Sequence, residues 1–333
     1  MTTDIEKQVA ELQAARSALM TGFGQVIVGQ TAVLEELLIT VFAGGHNLLE
    51  GVPGLAKTLM INTLAHLLAL DFKRIQFTPD LMPSDITGTN VIEEDHVSGK
   101  RISVFMAGPI FTHVLLADEI NRTPPKTQSA LLQAMQEKEV TAAGKTYPLS
   151  PPFFVLATQN PIDQEGTYPL PEAQKDRFLL NTFIGYPALT EEEDIVEKTT
   201  ANWEASVQPV LDRDRLIAFQ KVVRSLPVSR HVTGYAVDLA RASRPADPTA
   251  PEFIRKQVIW GGGPRAGQAL ILCAKCRAAL AGRINVSCED VRRMVLPVMR
   301  HRVAPSFVAE AEGITSDMIL NKLLETVPER THV

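Results

Sequence analysis

Gly51-Val52-Pro53-Gly54-Leu55-Ala56-Lys57-Thr58, with Leu59 behind it, is the stretch whose residue types and spacing point most directly to chemistry. It follows a short strand-like stretch at 46–50 (HNLLE). It opens a segment in which Met60, Leu64, Leu67 and Leu68 recur at helical spacing. In such a strand–turn–helix context, backbone N–H groups of a glycine-rich turn and the helix N-terminus behind it converge on phosphate oxygens. Lys57 then reaches the β- and γ-phosphates of a nucleotide, and the Thr58 hydroxyl sits toward Mg²⁺. The general pattern has glycine before the lysine. This chain has Ala56, which is expected to take a negative φ. The plainer alternative, a Gly/Pro turn with a surface lysine, ignores the strand before it and the helix after it.

A second constellation is Val114-Leu115-Leu116-Ala117-Asp118-Glu119, four apolar residues ending in two acids. Open α/β sheets bind ligands at the C-terminal ends of their strands. Asp118 there would hold Mg²⁺ through water, and Glu119 would polarise an attacking water. Alone, the pair could be solvated strand-end charge; with the phosphate loop it reads as chemistry. Ala157-Thr158-Gln159-Asn160 ends another apolar run, and Asn160 could reach a γ-phosphate, although Asn160-Pro161 is also an ordinary turn. Two arginines complete the set. Arg177, in Asp176-Arg177-Phe178, could project across a subunit boundary, where such groups are worth roughly 10³–10⁵ in rate; otherwise it pairs with Asp176. Arg265, in Gly263-Pro264-Arg265, starts a helix and could touch a nucleotide as that region closes, or simply face solvent.

The elements that must hold these residues are legible as alternating strands and helices. Further strands are expected at 73–77, 111–117, 153–158 and 179–184. The segment 111–117 (FTHVLLA) contains a continuous apolar run, like a strand buried on both faces. A helix is expected after Thr123-Pro124-Pro125, with Ala130, Leu131, Ala134 and Met135 as its buried stripe. A hairpin is expected at 139–146 around Ala143-Gly144. Strand–helix alternation implies a parallel sheet with helices on both faces. Beyond Pro187 the pattern is helical, near 190–200, 212–225, 231–243, 265–282, 287–300 and 316–326. Ser287 to Asp290 forms a capping-box signature, and 243–263, with three prolines and three consecutive glycines, contains loops. The division expected is an N-terminal helix at 1–23, an α/β core at 24–187 and an all-helical region at 188–333.

Bulk properties narrow the classes. With 333 residues, 45% of them hydrophobic, the chain is long enough for about two domains. No run approaches the ~18 apolar residues of a membrane span. The N-terminus, with Ile5, Val9, Leu12 and Leu19 near helical spacing, lacks the apolar core of a signal peptide. A cytoplasmic protein without membrane insertion is the expectation. A net charge of −5 disfavours non-specific nucleic-acid binding. Cys273, Cys276 and Cys288 are too few for a disulfide framework. Cys273 and Cys276 match C-x-x-C but sit inside one helical pattern without a second pair or a histidine to complete a zinc site.

Taken in order, GVPGLAKT (51–58), DLMPSDITG (80–88), GPIF (108–111), LLADEINRTPPKTQSALLQAMQE (115–137), ATQNP (157–161), EGTYPLPEAQKDRF (165–178) and GGGPRA (261–266) resemble the AAA+ ATPases, and more closely the MoxR family. The resemblance spans roughly 25 to 325 and is densest in the core. Ala56 is not a departure within that family. The resemblance implies an α/β P-loop AAA+ core, a central parallel sheet flanked by helices, and a C-terminal all-helical lid. It implies ATP and Mg²⁺ as cofactors. Gly51, Gly54, Lys57 and Thr58 correspond to Walker A, Asp118 and Glu119 to Walker B, Asn160 to the first sensor, Arg177 to the arginine finger and Arg265 to the second sensor, acting in cis or in trans. Val28-Gly29-Gln30 corresponds to an adenine contact, and an insertion is implied within about 88–108.

MoxR-like proteins are generally hexameric rings with chaperone-like remodelling roles. They often act with partners bearing von Willebrand factor A domains, and some assist metal-cofactor insertion. The resemblance therefore implies self-assembly, a client protein and such a partner. A nucleic-acid motor, a chelatase-like subunit, a scaffold that binds nucleotide without turnover, and a small-molecule kinase are the competing readings.

Overall fold

The computed structural model describes residues 2–94, 101–142, 144–161, 166–201 and 207–330. Among the described residues, nine strands lie before residue 187: β1 (Asn47–Glu50), β2 (Phe72–Gln76), β3 (Gly88–Glu94), β4 (Arg101–Ala107), β5 (Val114–Asp118), β6 (Glu139–Ala142), β7 (Lys145–Pro148), β8 (Phe154–Gln159) and β9 (Leu180–Phe183). Between and before them lie α1 (Thr2–Gly24), α2 (Thr31–Ala43), α3 (Lys57–Leu67), α4 (Pro83–Thr87), α5 (Pro125–Glu137) and α6 (Glu172–Lys175). Helices dominate thereafter: α7 (Leu189–Thr200), α8 (Arg213–Ser225), α9 (Arg230–Ala242), α10 (Glu252–Gln257), α11 (Pro264–Leu280), α12 (Cys288–Met299), α13 (Phe307–Ala311) and α14 (Ser316–Thr326). A short antiparallel pair, Val258–Trp260 with Ala304–Pro305, ties the helical half together.

The central sheet has the order β2-β5-β8-β1-β9, with every pair parallel. Side chains along a strand alternate between faces, and two separate apolar clusters follow from that alternation. Val114, Leu116, Phe154 and Leu156 point into one, with α1, α2, α3 and the helices beyond 207. Leu115, Ala117, Val155 and Ala157 point into the other, with Ile86, Leu131 and Met135. Both faces of β5 are therefore buried, as its unbroken apolar run requires. The α/β class with a central parallel sheet and a helical C-terminal region is the observed architecture. The first cluster crosses residue 187, and α1 contributes Val9, Leu12, Leu19 and Phe23 to it, so sheet, N-terminal helix and lid share one apolar core.

Several boundaries shift for identifiable reasons. The strand expected from 111 starts at Val114. Phe111 instead packs edge-on against Phe105 and Tyr147, at 5.9 and 6.3 Å between ring centroids, where two hairpins meet. Those hairpins are β3–β4, inside the implied insertion, and β6–β7. Ala143, in the expected turn of the second, lies outside the described residues. The stretch at 243–263 contains loops as expected, and α10 also stands within it, with Pro251 at its N-cap and Ile254 buried. At six residues it is too short to declare a period. The Ser287 cap forms as expected. Its hydroxyl accepts from the Asp290 N–H at 3.3 Å, and the Asp290 carboxylate accepts from the Ser287 N–H at 3.0 Å. Cys273 and Cys276 are buried in α11, where burial pushes both thiols up, and Cys276 Sγ donates to the Ile39 carbonyl at 3.6 Å. No helix among the described residues is long and apolar enough to cross a membrane.

Candidate active site

β1 ends at Glu50 and α3 begins at Lys57, so the glycine-rich stretch is the connection between them, as the strand–turn–helix reading requires. Gly51 has no room for a side chain: a Cβ there would stand 2.7 Å from the Ile184 carbonyl oxygen. Gly54 takes φ +87°, in the left-handed region. Lys57 Nζ donates to the Gly51 carbonyl and, at 3.3 Å, to that of Val52. Partial burial lowers the Lys57 pKa, opposed by the charges of Asp118 and Glu119.

Ala56 overturns one expectation. Its φ is +54°, not negative, and it is the N-cap of α3. The left-handed region costs an L-residue roughly 1–2 kcal/mol, because Cβ crowds the following carbonyl. The Ala56 side chain is exposed, so no packing compensates. Ala56→Gly is therefore expected to stabilise the chain by about 0.5–1 kcal/mol, seen as a higher midpoint in thermal unfolding. A lower midpoint would mean that the turn accepts alanine without strain.

The two acids are positioned from both flanking strands. Asp118 closes β5 and is 9% exposed. Thr158 on β8 donates to Asp118 Oδ1 at 2.5 Å and accepts the Glu119 N–H at 2.8 Å. From β2 on the other side, Arg74 donates to Asp118 Oδ2 through Nε and Nη2 at 3.1 and 2.6 Å. Gln76 donates to Glu119 Oε2 at 2.8 Å, and Arg74 Nη2 donates to Gln76 Oε1 at 2.7 Å, which closes a polar chain across the strand ends. Glu119 sits at φ +57°, so the backbone turns sharply where the strand stops and presents its carboxylate. Arg122 Nε lies 3.3 Å from the same Glu119 oxygen.

One cavity of about 420 Å³ collects these parts. Residues 53–59 line it together with Asp118, Glu119, Thr158 and Asn160. Asn160, 7% exposed, is thus at the same strand-end cleft as the acids. The donor set suits one hard cation. Thr58 and Asp118 offer a hydroxyl and a carboxylate beside the glycine-rich loop, and no cluster of three or more His, Cys, Asp or Glu exists among the described residues to cage a metal by itself. Mg²⁺ is held in just that way, by one or two carboxylates, substrate phosphates and water.

Two predicted residues lie elsewhere. Arg177 and Arg265 both line a larger cavity, about 990 Å³, between the sheet domain and the lid helices α9 and α11. Arg177 is half-buried and does not pair with Asp176. That carboxylate is taken by Arg302 Nε at 2.7 Å, with Arg265 Nη1 at 3.5 Å. Val28, Gly29 and Gln30 also stand outside the smaller cavity. They precede α2, with Gln30 Nε2 donating to the Gly185 carbonyl at 2.9 Å and Gly29 lying under Glu191. Gly51 and Val52 contribute carbonyls to Lys57 without lining the cavity wall.

Arg74, Gln76 and Thr158 are the residues that sequence reading missed. The signal was present: arginine and glutamine at alternate positions of an otherwise strand-like segment, β2, whose register places Gln76 beside Asp118.

With that geometry in view, the likeness to known proteins is informative. The family model described as "ATPase family associated with various cellular activities (AAA)" matches residues 46–180, and the model "AAA lid domain" matches residues 253–323. Chaperone MoxR1 of Mycobacterium tuberculosis is 40% identical, over 91% of this chain and 79% of its own length. Protein MoxR of Methylorubrum extorquens is 31% identical, over 91% of this chain and 92% of its own. A crystal structure of a Cytophaga hutchinsonii protein superimposes with a TM-score of 0.91 at 38% identity, covering 99% of both chains. Relatives named MoxR that match nine-tenths of the chain at 31–40% identity, together with the AAA core and lid models, make this chain a member of the MoxR family of AAA+ ATPases.

Proposed function

We propose that this chain hydrolyses ATP with Mg²⁺ in sites shared between neighbouring copies of a ring, of six copies as the family resemblance implies, and that the ring remodels or matures a client protein. The observation that carries this reading is the separation of its parts. Lys57, Thr58, Asp118, Glu119 and Asn160 gather at one cavity, whereas Arg177 and Arg265 line another. A single chain then lacks the arginines its own cleft calls for, and a second copy supplies them.

In this reading the loop N–H groups and Lys57 bind the β- and γ-phosphates, and residues 28–30 border the adenine. Thr58 and Asp118 would hold Mg²⁺, which would supply neutralisation of phosphate charge. Glu119 accepts a hydrogen bond from the attacking water and draws its proton as the oxygen adds to the γ-phosphorus; the bond to the bridging oxygen breaks and ADP leaves. Asn160 orients the same water. Arg177 of the next copy faces the charge that develops on the γ-phosphoryl oxygens, with Arg265 beside it. Arg74 and Gln76 fix the two carboxylates from the adjoining strand. A client is supported by the chaperone name of the Mycobacterium tuberculosis relative. A von Willebrand factor A partner rests on the family resemblance, and a cytoplasmic setting on the composition.

Mg²⁺-dependent ATP hydrolysis measured across a protein dilution series tests the shared site. Specific activity is expected to climb with protein concentration, in step with assembly followed by light scattering. Constant specific activity from a monomer down to the lowest dilution would overturn the reading, as would an absence of hydrolysis at every concentration.

A further inference from the structure

The cavity that holds Arg177 and Arg265 carries more positive charge than those two residues explain. Eight lysines and arginines line it against one acid, Asp176, which Arg302 and Arg265 already engage. Lys138, at the C-terminal end of α5, is exposed there and has no ion-pair partner among the described residues. Lys275 has its pKa lowered, first by burial and then by the neighbouring Arg224. Between the cations the wall is apolar, with Leu179, Ile271 and Leu272, and with Val237 left 42% exposed. An apolar floor with a cationic rim fits an amphipathic surface of opposite charge.

This chain carries such a surface. Helix α7, LTEEEDIVEKTT, has five acids against one base and buries no residue. Its half-buried positions are Glu191 and Ile195, four apart, and they face its own chain. Glu191 caps the helix through the Ala188 N–H at 3.0 Å and lies over Gly29. The outward face carries Leu189, Glu192, Glu193 and Val196, at the spacing of one helical stripe. Leu189 is 74% exposed and Val196 55%. No residue of α7 lines the cavity of its own chain.

Position favours the same pairing. The segment that leads into α7 touches the phosphate loop, since Gly51 lies against the Ile184 carbonyl, and it touches the loop at 28–30 through Gly185. An arrangement that brings one copy's Arg177 to a neighbour's phosphate loop therefore also brings its cavity toward that neighbour's α7. We propose that α7 of one copy docks, through Leu189, Glu192, Glu193 and Val196, onto the cation-rimmed cavity between sheet domain and lid of the next copy. This rests on the shared-site reading above and adds the surface that holds the two copies in register.

Two measurements test it, both on the full chain with ATP and Mg²⁺. In the first, chains carrying Val196→Cys are mixed with chains carrying Val237→Cys under a mild oxidant; the native cysteines are buried. A cross-linked pair containing one chain of each kind is expected to dominate over either self-pair. In the second, Glu192→Arg/Glu193→Arg chains and Lys138→Glu/Gln268→Glu chains are each expected to need about tenfold more protein to assemble than wild type. Their mixture is expected to assemble like wild type, because both interfaces of an alternating ring are then complementary. Recovery on mixing cannot come from misfolded chains. If wild type assembles but the mixed cross-link is absent and the charge variants assemble unchanged, the docking is wrong and the shared site stands. If wild type remains monomeric at every concentration, both fall.

Discussion

Arg177→Ala is expected to lower ATP turnover by roughly 10³–10⁵-fold while leaving ATP affinity near that of wild type. The expected affinity follows from location: Arg177 lines the cavity between sheet domain and lid, apart from residues 53–59 and the acid pair. Stability should change little as well. Asp176 is held by Arg302 and Arg265, so removing the Arg177 guanidinium strands no internal carboxylate. The decisive experiment is mixing. An Arg177→Ala chain keeps an intact cleft but lends no arginine; a Glu119→Gln chain keeps the arginine but has an impaired cleft. In a mixed ring, each Arg177→Ala cleft that faces a Glu119→Gln neighbour is complete, so activity should return when two inactive preparations are combined. A loss of less than tenfold in the single variant would remove Arg177 from the chemistry. A large loss without recovery on mixing would place its action within its own chain and against the shared site.

How much of this could be read in advance depended on whether a feature is local. The glycine-rich loop and the strand-end acids announce themselves because backbone direction, apolar run and polar terminus all lie within a few residues. Most helices beyond residue 187 were equally plain, since ten or more residues give a 3.6 period time to repeat. The unbroken VLLA before Asp118 signalled a strand buried on both faces, and the register of β5 between β2 and β8 agrees. What the sequence hid was relational. That Arg74 and Gln76 would reach across to Asp118 and Glu119 depends on the parallel pairing of β2 with β5, whose partners are 42 residues apart along the chain. Phe111 reads as strand because the apolar run of β5 begins just beyond Thr112 and His113, yet its ring is held by Phe105 and Tyr147 from two hairpins. Ala56 was misjudged because residue type was read as fixing φ, whereas the surrounding turn imposes a left-handed conformation on an alanine. The separation of Arg177 and Arg265 from the phosphate cleft is likewise a three-dimensional fact, and it turns a set of motifs into a claim about neighbouring copies.

Glu119→Gln is the second large effect, expected to reduce turnover by roughly 10²–10⁴-fold, the ordinary worth of a positioned general base. That is about 3–5 kcal/mol of transition-state stabilisation. Glutamine preserves the length and shape of the side chain, so the change isolates charge and basicity. Lys57, Thr58 and the loop N–H groups are untouched, and removing one negative charge beside bound triphosphate should hold ATP affinity level or raise it. The surroundings argue that Glu119 is built for a role at the cleft. A strand-end acid that merely faced solvent would need neither a φ of +57° nor a hydrogen bond from Gln76 at 2.8 Å, and its backbone N–H would not be tied to Thr158 at 2.8 Å. Single-turnover measurement separates the possibilities, because it reads the chemical step without product release. Slow γ-phosphate cleavage with undiminished ATP binding is the expected pattern. If cleavage stays within a few-fold of wild type and only steady-state release changes, Glu119 positions structure rather than water, and the base must be sought among the other groups at the cleft.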